Sequence, residues 1–285
     1  MDKIVQDHNS IINEFSILLA IHDEDSSTIN RFLEYYSKVA IKIYIADSSL
    51  IEAKYNYYAN IHYFHLPQTS FINKLSDVLD IIESRYILLT PVDDFCYISR
   101  IISEYSSLIV DDSFSYLGGK YESIDRFDFS LDLTNKQKLN VVKKNLTHYE
   151  LYTKYHFPLL WGIYQWSSLS QLLLTISKYN FDNDNFIELS GVAILPTIGK
   201  VFETNEPFFY RSTRVNSWGN RTKTLTISSI LLLKKDQRTY LRLLSEMGIL
   251  FNVLHYYVYY LVINMIKQSG IKLFLNKMMR KARLQ

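Results

Sequence analysis

Short apolar runs alternate with amphipathic stretches along the first hundred residues of the chain. Three of these runs are continuous, short and rich in β-branched residues, a pattern that predicts buried strands. They are residues 15–22, 40–46 and 86–89. A shorter strand is predicted at 60–65, and helical spacing of apolar residues predicts helices over 28–38, capped by Ser26 or Ser27, and over 70–83. Strands that alternate with helices in this way predict parallel βαβ units and an α/β fold.

Beyond residue 110 the periodic signals change in character. Two strands, 113–121 and 123–132, are predicted to form a hairpin around Gly118-Gly119. Apolar positions at helical spacing predict helices in three later segments. These segments are 167–178, 184–198 and much of 226–267. An extended stretch is expected at 200–210, directly after the second of these helices.

The C-terminal part differs in composition, so we divide the chain into a main domain, 1–225, and a helical extension, 226–285. No acidic residue follows Glu246, and six basic residues lie in the tail 267–285: Lys267, Lys272, Lys277, Arg280, Lys281 and Arg283. Such a tail is typical of contact with an anionic membrane surface, and an ordinary solvated helix is the alternative. The apolar run 249–266 contains Asn, His and Tyr, which favours a buried or interfacial helix over a membrane span.

Charge and cysteine content narrow the class of protein. Charged residues make up 21% of the chain and nearly cancel at a net charge of +2, which argues against nucleic acid as a partner. The single cysteine, Cys96, excludes an intrachain disulfide and makes a cysteine-based zinc site a poor interpretation. The N-terminus lacks the pattern of a signal peptide. We therefore expect a cytoplasmic protein.

Acidic residues follow two of the predicted strands. Asp47 ends the run 40–46, and Asp93 and Asp94 follow the run 86–89. In parallel α/β sheets the carboxyl ends of the strands carry the ligand site. Adjacent carboxylates there suit Mg²⁺ or Mn²⁺ bound together with phosphate oxygens, and the alternative is a solvated turn or helix cap.

Asp47 has two interpretations of its own. An acidic residue at this position of a nucleotide-binding sheet accepts hydrogen bonds from a ribose or a base. The alternative is a local turn in which its side chain bonds the backbone of Ser48 and Ser49. His22 and Asp23 follow the first predicted strand and are expected to line the same pocket.

Glu188 lies near the start of a predicted apolar helix. It is the candidate for a general base, the group that takes the proton from a reacting hydroxyl. The helix dipole also favours an acid at that position, so a purely structural role stays open. Three basic residues are candidates for contact with diphosphate oxygens, with a surface role as the alternative. They are Lys200, Arg211 and Arg214.

These motifs resemble bacterial family 2-like glycosyltransferases of the GT-A fold, in a branch with Asp-Ser-Ser and Asp-Asp-Asp-Phe motifs. The resemblance covers roughly residues 15–215. The matching segments are Asp47-Ser48-Ser49, Lys74-Leu75, Asp93-Asp94-Phe95, Glu188-Leu189, and Gly199-Lys200 with Arg211. Val92 stands where the branch has its first aspartate, and Ala20-Ile21-His22-Asp23-Glu24 replaces a usual Pro-Thr-x-Asn-Arg turn.

The resemblance implies a GT-A-like, mixed and mainly parallel sheet flanked by helices. It assigns Asp94, assisted by Asp93, to the metal and the donor diphosphate, and Glu188 to the base. The nucleotide-sugar donor would further contact a set of residues around the strand ends. These are His22, Asp23, Asp47, Lys74, Asp93 and Arg211.

The implied reaction is transfer of a sugar, with inversion, to a hydroxyl of a surface glycan or glycolipid in bacterial polysaccharide biosynthesis. The enzyme would work in the cytoplasm, held peripherally at the inner face of the plasma membrane. Two alternatives stay open: a nucleotidyltransferase on a similar core, and a non-catalytic membrane-associated protein that binds nucleotide or glycan. The acidic loop after the first strand counts against the nucleotidyltransferase.

Overall fold

The computed structural model describes residues 13–38, 40–53, 58–92, 94–96, 113–124, 141–142, 147, 160–212, 235–252 and 254–255. The strands in these ranges are β1 (Phe15–Ile21), β2 (Lys42–Asp47), β3 (Ile61–His65), β4 (Tyr86–Thr90), β5 (Asp94–Cys96), β6 (Phe114–Ile124), β7 (Val141–Val142), β8 (Gly162–Gln165) and β9 (Lys200–Ser212). The main helices are α1 (Ser26–Tyr36), α2 (Phe71–Leu79), α3 (Trp166–Ser177), α4 (Asp184–Ile198) and α5 (Lys235–Glu246).

The strands form one mixed sheet in the order β3-β2-β1-β4-β8-β6-β9-β5, with β7 paired to β9. Strands β3, β2, β1 and β4 are mutually parallel, as the βαβ pattern predicts. Strand β8 runs antiparallel to both β4 and β6, so β6 and its parallel neighbour β9 point the same way as β4. The longest pairings are therefore parallel, and the predicted α/β sheet is confirmed.

The four predicted N-terminal strands are present, and the two central ones, β1 and β4, are buried on both faces of the sheet. Every residue of β4 is buried, and so is all of β1 except Ala20, which explains why their sequences are continuous apolar runs. The predicted hairpin around Gly118-Gly119 is wrong, since β6 runs through both glycines as one strand. Gly118 leaves room for the side chain of Tyr116, because a Cβ at this position would lie 2.4 Å from the Tyr116 hydroxyl.

Helix ends depart from the sequence predictions in two places. Asp25, and not Ser26 or Ser27, caps α1, because its carboxylate accepts hydrogen bonds from the backbone N–H and the hydroxyl of Thr28. Helix α2 ends at Leu79, and the chain then tightens into i→i+3 bonds that still bury Ile82. The sequence also predicts a helix over 96–109, which apart from Cys96 lies outside the described residues.

Two cores cover the two faces of the sheet. On one face, α2, α3, α4 and α5 pack over side chains such as Leu18, Leu89 and Tyr164. On the other face, α1 packs over Leu19, Ile45 and their neighbours. Alternate residues of each central strand therefore enter opposite cores, as the period of two requires.

Helix α5 packs onto the main body through Leu243 and Leu244, which are buried in the same core as α4. Glu246 at its end accepts hydrogen bonds from the hydroxyl of Tyr179 at 2.6 Å and from Arg242 at 2.7 Å. These bonds, first that from Tyr179, hold the pKa of Glu246 below its ordinary value.

The predicted division at 225/226 and the basic tail 267–285 lie outside the described residues, so both stay predictions. Within the described part of the chain, no helix combines the length and the apolar character needed to cross a bilayer.

Candidate functional site at the carboxyl edge of the sheet

The parallel strands end together at one edge of the sheet, which we call the carboxyl edge. Strand β1 ends at Ile21, β2 at Asp47 and β4 at Thr90, and the register pairs Ile21 directly with Asp47. Because β2 and β4 both flank β1, their ends lie about 10 Å apart across the sheet. Ligands of parallel α/β sheets bind at this edge, so it is the candidate position for a functional site.

Asp47 is buried at this edge and carries two hydrogen bonds. One carboxylate oxygen accepts from the backbone N–H of Ser49 at 2.8 Å, and the other accepts from the hydroxyl of Tyr63 at 2.6 Å. The local turn with Ser49, the structural alternative in the sequence, is therefore present. Each carboxylate oxygen can accept a second bond, so the turn fixes the carboxylate in place without exhausting it.

Lys74 connects the ends of β1 and β2 from the side of α2. Its side chain is only 2% exposed, and the ammonium donates to the carbonyl of Ile21 at 2.6 Å and to the hydroxyl of Ser48 at 2.9 Å. A positive charge is thus held directly under the strand ends. The structure places Lys74 at the carboxyl edge and gives it a structural function there, while its contact with a donor stays a prediction.

His22 and Asp23 lie in the loop that follows β1, at the same edge. The Nδ1 atom of His22 is 3.1 Å from the hydroxyl of Ser48, and the backbone N–H of Asp23 donates to the hydroxyl of Ser49 at 2.8 Å. Asp23 has a φ of 51°, in the left-handed region. These bonds hold the two loops after β1 and β2 together, while both side chains remain exposed.

Asp94 is the first residue of β5 and is 1% exposed. It follows Thr90 by four residues, so its Cα lies within about 14 Å of the end of β4. In the antiparallel pairing of β5 with β9, Asp94 stands opposite Arg211. The register thus brings an aspartate and an arginine that are far apart in sequence to neighbouring positions. Asp93 and Arg214 lie outside the described residues.

The donor set at Asp94 is compatible with a hard divalent cation. Mg²⁺ is usually held by one or two carboxylates together with phosphate oxygens and waters, and needs no larger protein cage. Among the described residues, no cluster of three or more Asp, Glu, His or Cys side chains could hold a metal on its own. A buried carboxylate at the carboxyl edge therefore fits a metal that is shared with a bound diphosphate.

Glu188 lies in the second turn of α4 and is half-buried. Helix α4 ends where β9 begins, at the edge opposite the carboxyl edge. Glu188 precedes Ile198 by ten residues, which corresponds to about 15 Å along the helix axis. Lys200 starts β9 and therefore lies at the far edge, which argues against its predicted contact with a diphosphate.

The fold has a match among solved structures. The chain is similar to residues 1–349 of TarS from S. aureus in a crystal with UDP-GlcNAc, at 12% identity over 82% of this chain and 71% of that one, with a TM-score of 0.52. A second crystal structure of TarS 1–349 matches at 11% identity over 80% of this chain and 72% of that one, with a TM-score of 0.49. The chain has a GT-A-like fold. No protein-family model and no curated protein matches it.

Two aromatic residues at the carboxyl edge of this GT-A-like fold were not anticipated from the sequence. Tyr63 bonds Asp47 from the neighbouring strand β3, and Trp161 directly precedes β8. The only available signal for Tyr63 was its place in a predicted strand next to the acidic strand end. Trp161 gave no local signal, because the pairing of β8 with β4 joins segments more than 70 residues apart.

A cavity of about 420 Å³ lies elsewhere, at the edge opposite the carboxyl edge. It is lined by the first turn of α3, the end of α4 and the starts of β6 and β9, including Ser168, Pro196 and Lys200. None of its lining residues is one of the acidic candidates. The cavity is therefore separate from the site built around Asp47, Lys74 and Asp94.

Proposed function

We propose that this protein is a glycosyltransferase that takes a sugar from a nucleotide donor. The observation that carries the proposal is that Asp47, Lys74 and Asp94 all lie at the carboxyl edge of a GT-A-like sheet. Carboxylates at that edge can orient a nucleotide and hold a divalent cation on its diphosphate, and the buried ammonium adds positive charge beside them. UDP-GlcNAc, which occupies the TarS crystal, is the first donor to test.

The proposed donor site divides between two parts of the edge. Asp47, fixed by Ser49 and Tyr63, accepts a hydrogen bond from the ribose or the base, with His22 and Asp23 on the outer side. Lys74 offers positive charge beneath the strand ends.

The diphosphate lies on the other side, towards Asp94, Asp93 and Arg211. These carboxylates would hold Mg²⁺ or Mn²⁺, which would offset the charge that builds up on the departing nucleoside diphosphate. Arg211, opposite Asp94 in the sheet, is the protein's own cation for the same oxygens. The protein thereby balances the donor's negative charge before the sugar bond breaks.

Glu188 is the proposed base that accepts the proton of the acceptor hydroxyl as the new glycosidic bond forms with inversion. Its half-buried position near the start of α4, away from the end of that helix at the opposite edge, supports this assignment. The acceptor is a hydroxyl of a surface glycan or glycolipid, and the basic tail 267–285 is the proposed contact with an anionic membrane.

A donor screen tests the proposal. The protein is incubated with UDP-, GDP- and CMP-sugars plus Mn²⁺, and mass spectrometry follows release of the nucleotide and any sugar transferred. We expect turnover of one donor class and a loss of at least about 100-fold in Asp94→Ala. The matched control is Asp77→Ala, at an exposed position on α2, which should keep full activity.

Three results would contradict the proposal. Full activity of Asp94→Ala would show that the carboxyl edge does not bind the metal and the diphosphate. Release of pyrophosphate from a nucleoside triphosphate would identify a nucleotidyltransferase instead. Absence of turnover and of nucleotide binding in the wild-type protein would favour the non-catalytic binding protein.

A further inference from the structure

Trp161 stands at the carboxyl edge by virtue of the sheet register. Gly162, the first residue of β8, pairs with Leu89 in β4, so Trp161 is level with Thr90 at the end of β4. Its indole is half-buried and packs against both cores of the molecule. The residue therefore borders the site on the side of β4, between the end of β2 and Asp94.

The indole of Trp161 extends an aromatic wall that begins beside the buried cation. Its ring meets the ring of Phe71 edge to face, with centroids 6.1 Å apart and planes at 83°. The ammonium of Lys74 lies 5.8 Å from the centroid of the same Phe71 ring. The wall of Lys74, Phe71 and Trp161 thus runs along the side of the site that α2 covers.

Trp161 differs from Trp166 at the other end of the same strand. The indole N–H of Trp166 donates to the carbonyl of Leu79 at 3.1 Å and so fastens α3 to α2. Within the described part of the chain, the indole N–H of Trp161 makes no hydrogen bond. Tryptophan N–H groups at such half-buried positions commonly act as donors, so this one is available to a ligand.

The backbone around Trp161 is held by two buried tyrosines. The hydroxyl of Tyr116 donates to the carbonyl of Trp161 at 2.6 Å, and that of Tyr164 donates to the carbonyl of Leu160 at 2.7 Å. Gly162 lets the Tyr116 ring pass, since a Cβ there would lie 2.4 Å from that ring. Burial raises the pKa of the Tyr116 phenol, so it stays a donor at any physiological pH. Trp161 is therefore held in place before any ligand arrives.

We propose that Trp161 is a binding residue for a pyranose ring, which stacks on the indole while a sugar hydroxyl accepts from the indole N–H. The C–H face of a pyranose is apolar and matches an aromatic surface, and its hydroxyls satisfy the polar tip. This inference rests on the proposed function, because it places a sugar at the edge where the nucleotide binds. The sugar belongs either to the donor or to the acceptor.

Calorimetric titration of Trp161→Leu distinguishes the two sources, with UDP-GlcNAc, UDP and methyl glucopyranoside as probes. UDP lacks the sugar of UDP-GlcNAc, and comparing each ligand between the variant and the wild-type protein isolates the effect of the indole on that sugar. A donor site predicts about tenfold weaker binding of UDP-GlcNAc with UDP unchanged. An acceptor site predicts a similar loss for methyl glucopyranoside added to the UDP-loaded protein, with UDP-GlcNAc unchanged.

Trp166→Phe is the matched control, because it removes an indole N–H that has a structural partner. It should leave all three affinities unchanged while lowering stability. If Trp161→Leu fails to fold, Trp161→Phe keeps the packing, and the sugar-dependent quenching of tryptophan fluorescence should be lost in it and retained in Trp166→Phe.

Unchanged affinities in Trp161→Leu, or equal losses for UDP-GlcNAc and UDP, would overturn the inference and leave the proposed function standing. If the wild-type protein binds no nucleotide at all, the proposed function and the inference on it both fail.

Discussion

Lys74 offers a sharp test of how the carboxyl edge is held together. Replacing it with methionine keeps the length of the side chain but removes the ammonium that bonds Ile21 and Ser48. The change therefore removes the hydrogen bonds through which Lys74 joins the ends of β1 and β2. It leaves the apolar packing of α2 against the sheet largely intact.

The size of the effect follows from the partners that remain. A hydrogen bond to a charged group contributes about 1.5–3 kcal/mol, and the change removes those to Ile21 and Ser48. The carbonyl of Ile21 keeps a bond from the backbone N–H of Ser48 at 3.2 Å, and the Ser48 hydroxyl keeps His22 as a neighbour at 3.1 Å. Both groups therefore keep a hydrogen-bonding partner. Removal of a buried ammonium also recovers part of its desolvation cost. We expect a net loss of about 2 kcal/mol.

Urea unfolding without any ligand measures this quantity. With a slope of about 2 kcal/mol/M, Lys74→Met should lower the unfolding midpoint by about 1 M. Lys42→Met, at an exposed position at the start of β2, is the control and should change stability by less than about 0.5 kcal/mol. If the two variants are equally stable, the bonds of Lys74 do not hold the edge, and the description of the site is wrong.

Three further changes test the fold. Asp25→Ala should destabilise α1 by about 1 kcal/mol while Ser26→Ala has a smaller effect, as measured by thermal unfolding. Leu172→Ala removes a fully buried side chain of α3 and should cost about 2–5 kcal/mol in urea, against less than about 0.5 kcal/mol for the exposed Leu174→Ala. The lowered pKa of Glu246 gives stability that is complete above its ordinary value of 4.5 and is lost as the pH falls through the lower folded value. Glu246→Gln should therefore flatten the acid limb of a melting-temperature profile, and an unchanged limb would contradict this.

The N-terminal half of the sheet could be predicted from the sequence because its information is local. A strand buried on both faces, such as β1 or β4, needs a continuous apolar run, and the acidic residue after the run marks its carboxyl end. The same logic placed Asp47 and Asp94 at one edge of the sheet. Local patterns do not reveal how side chains pack against each other. Gly118 was therefore predicted to lie in a turn, although it makes room for the ring of Tyr116.

The finer structure of the site depends on long-range pairing. Arg211 reaches Asp94 only through the antiparallel register of β9 with β5, and Trp161 reaches the edge only through that of β8 with β4. No local pattern encodes these registers. Lys74 was assigned to the donor site from a resemblance. The structure adds that its ammonium donates a hydrogen bond to the end of β1.

Calorimetric titration of the wild-type protein and of Asp94→Asn with UDP, GDP and CMP, each with and without Mn²⁺, tests the central claim most directly. We expect one nucleotide diphosphate to bind more tightly with Mn²⁺, and Asp94→Asn to lose at least about tenfold in that Mn²⁺-dependent affinity. Binding that ignores both Mn²⁺ and the loss of the Asp94 charge would contradict a diphosphate site at the carboxyl edge.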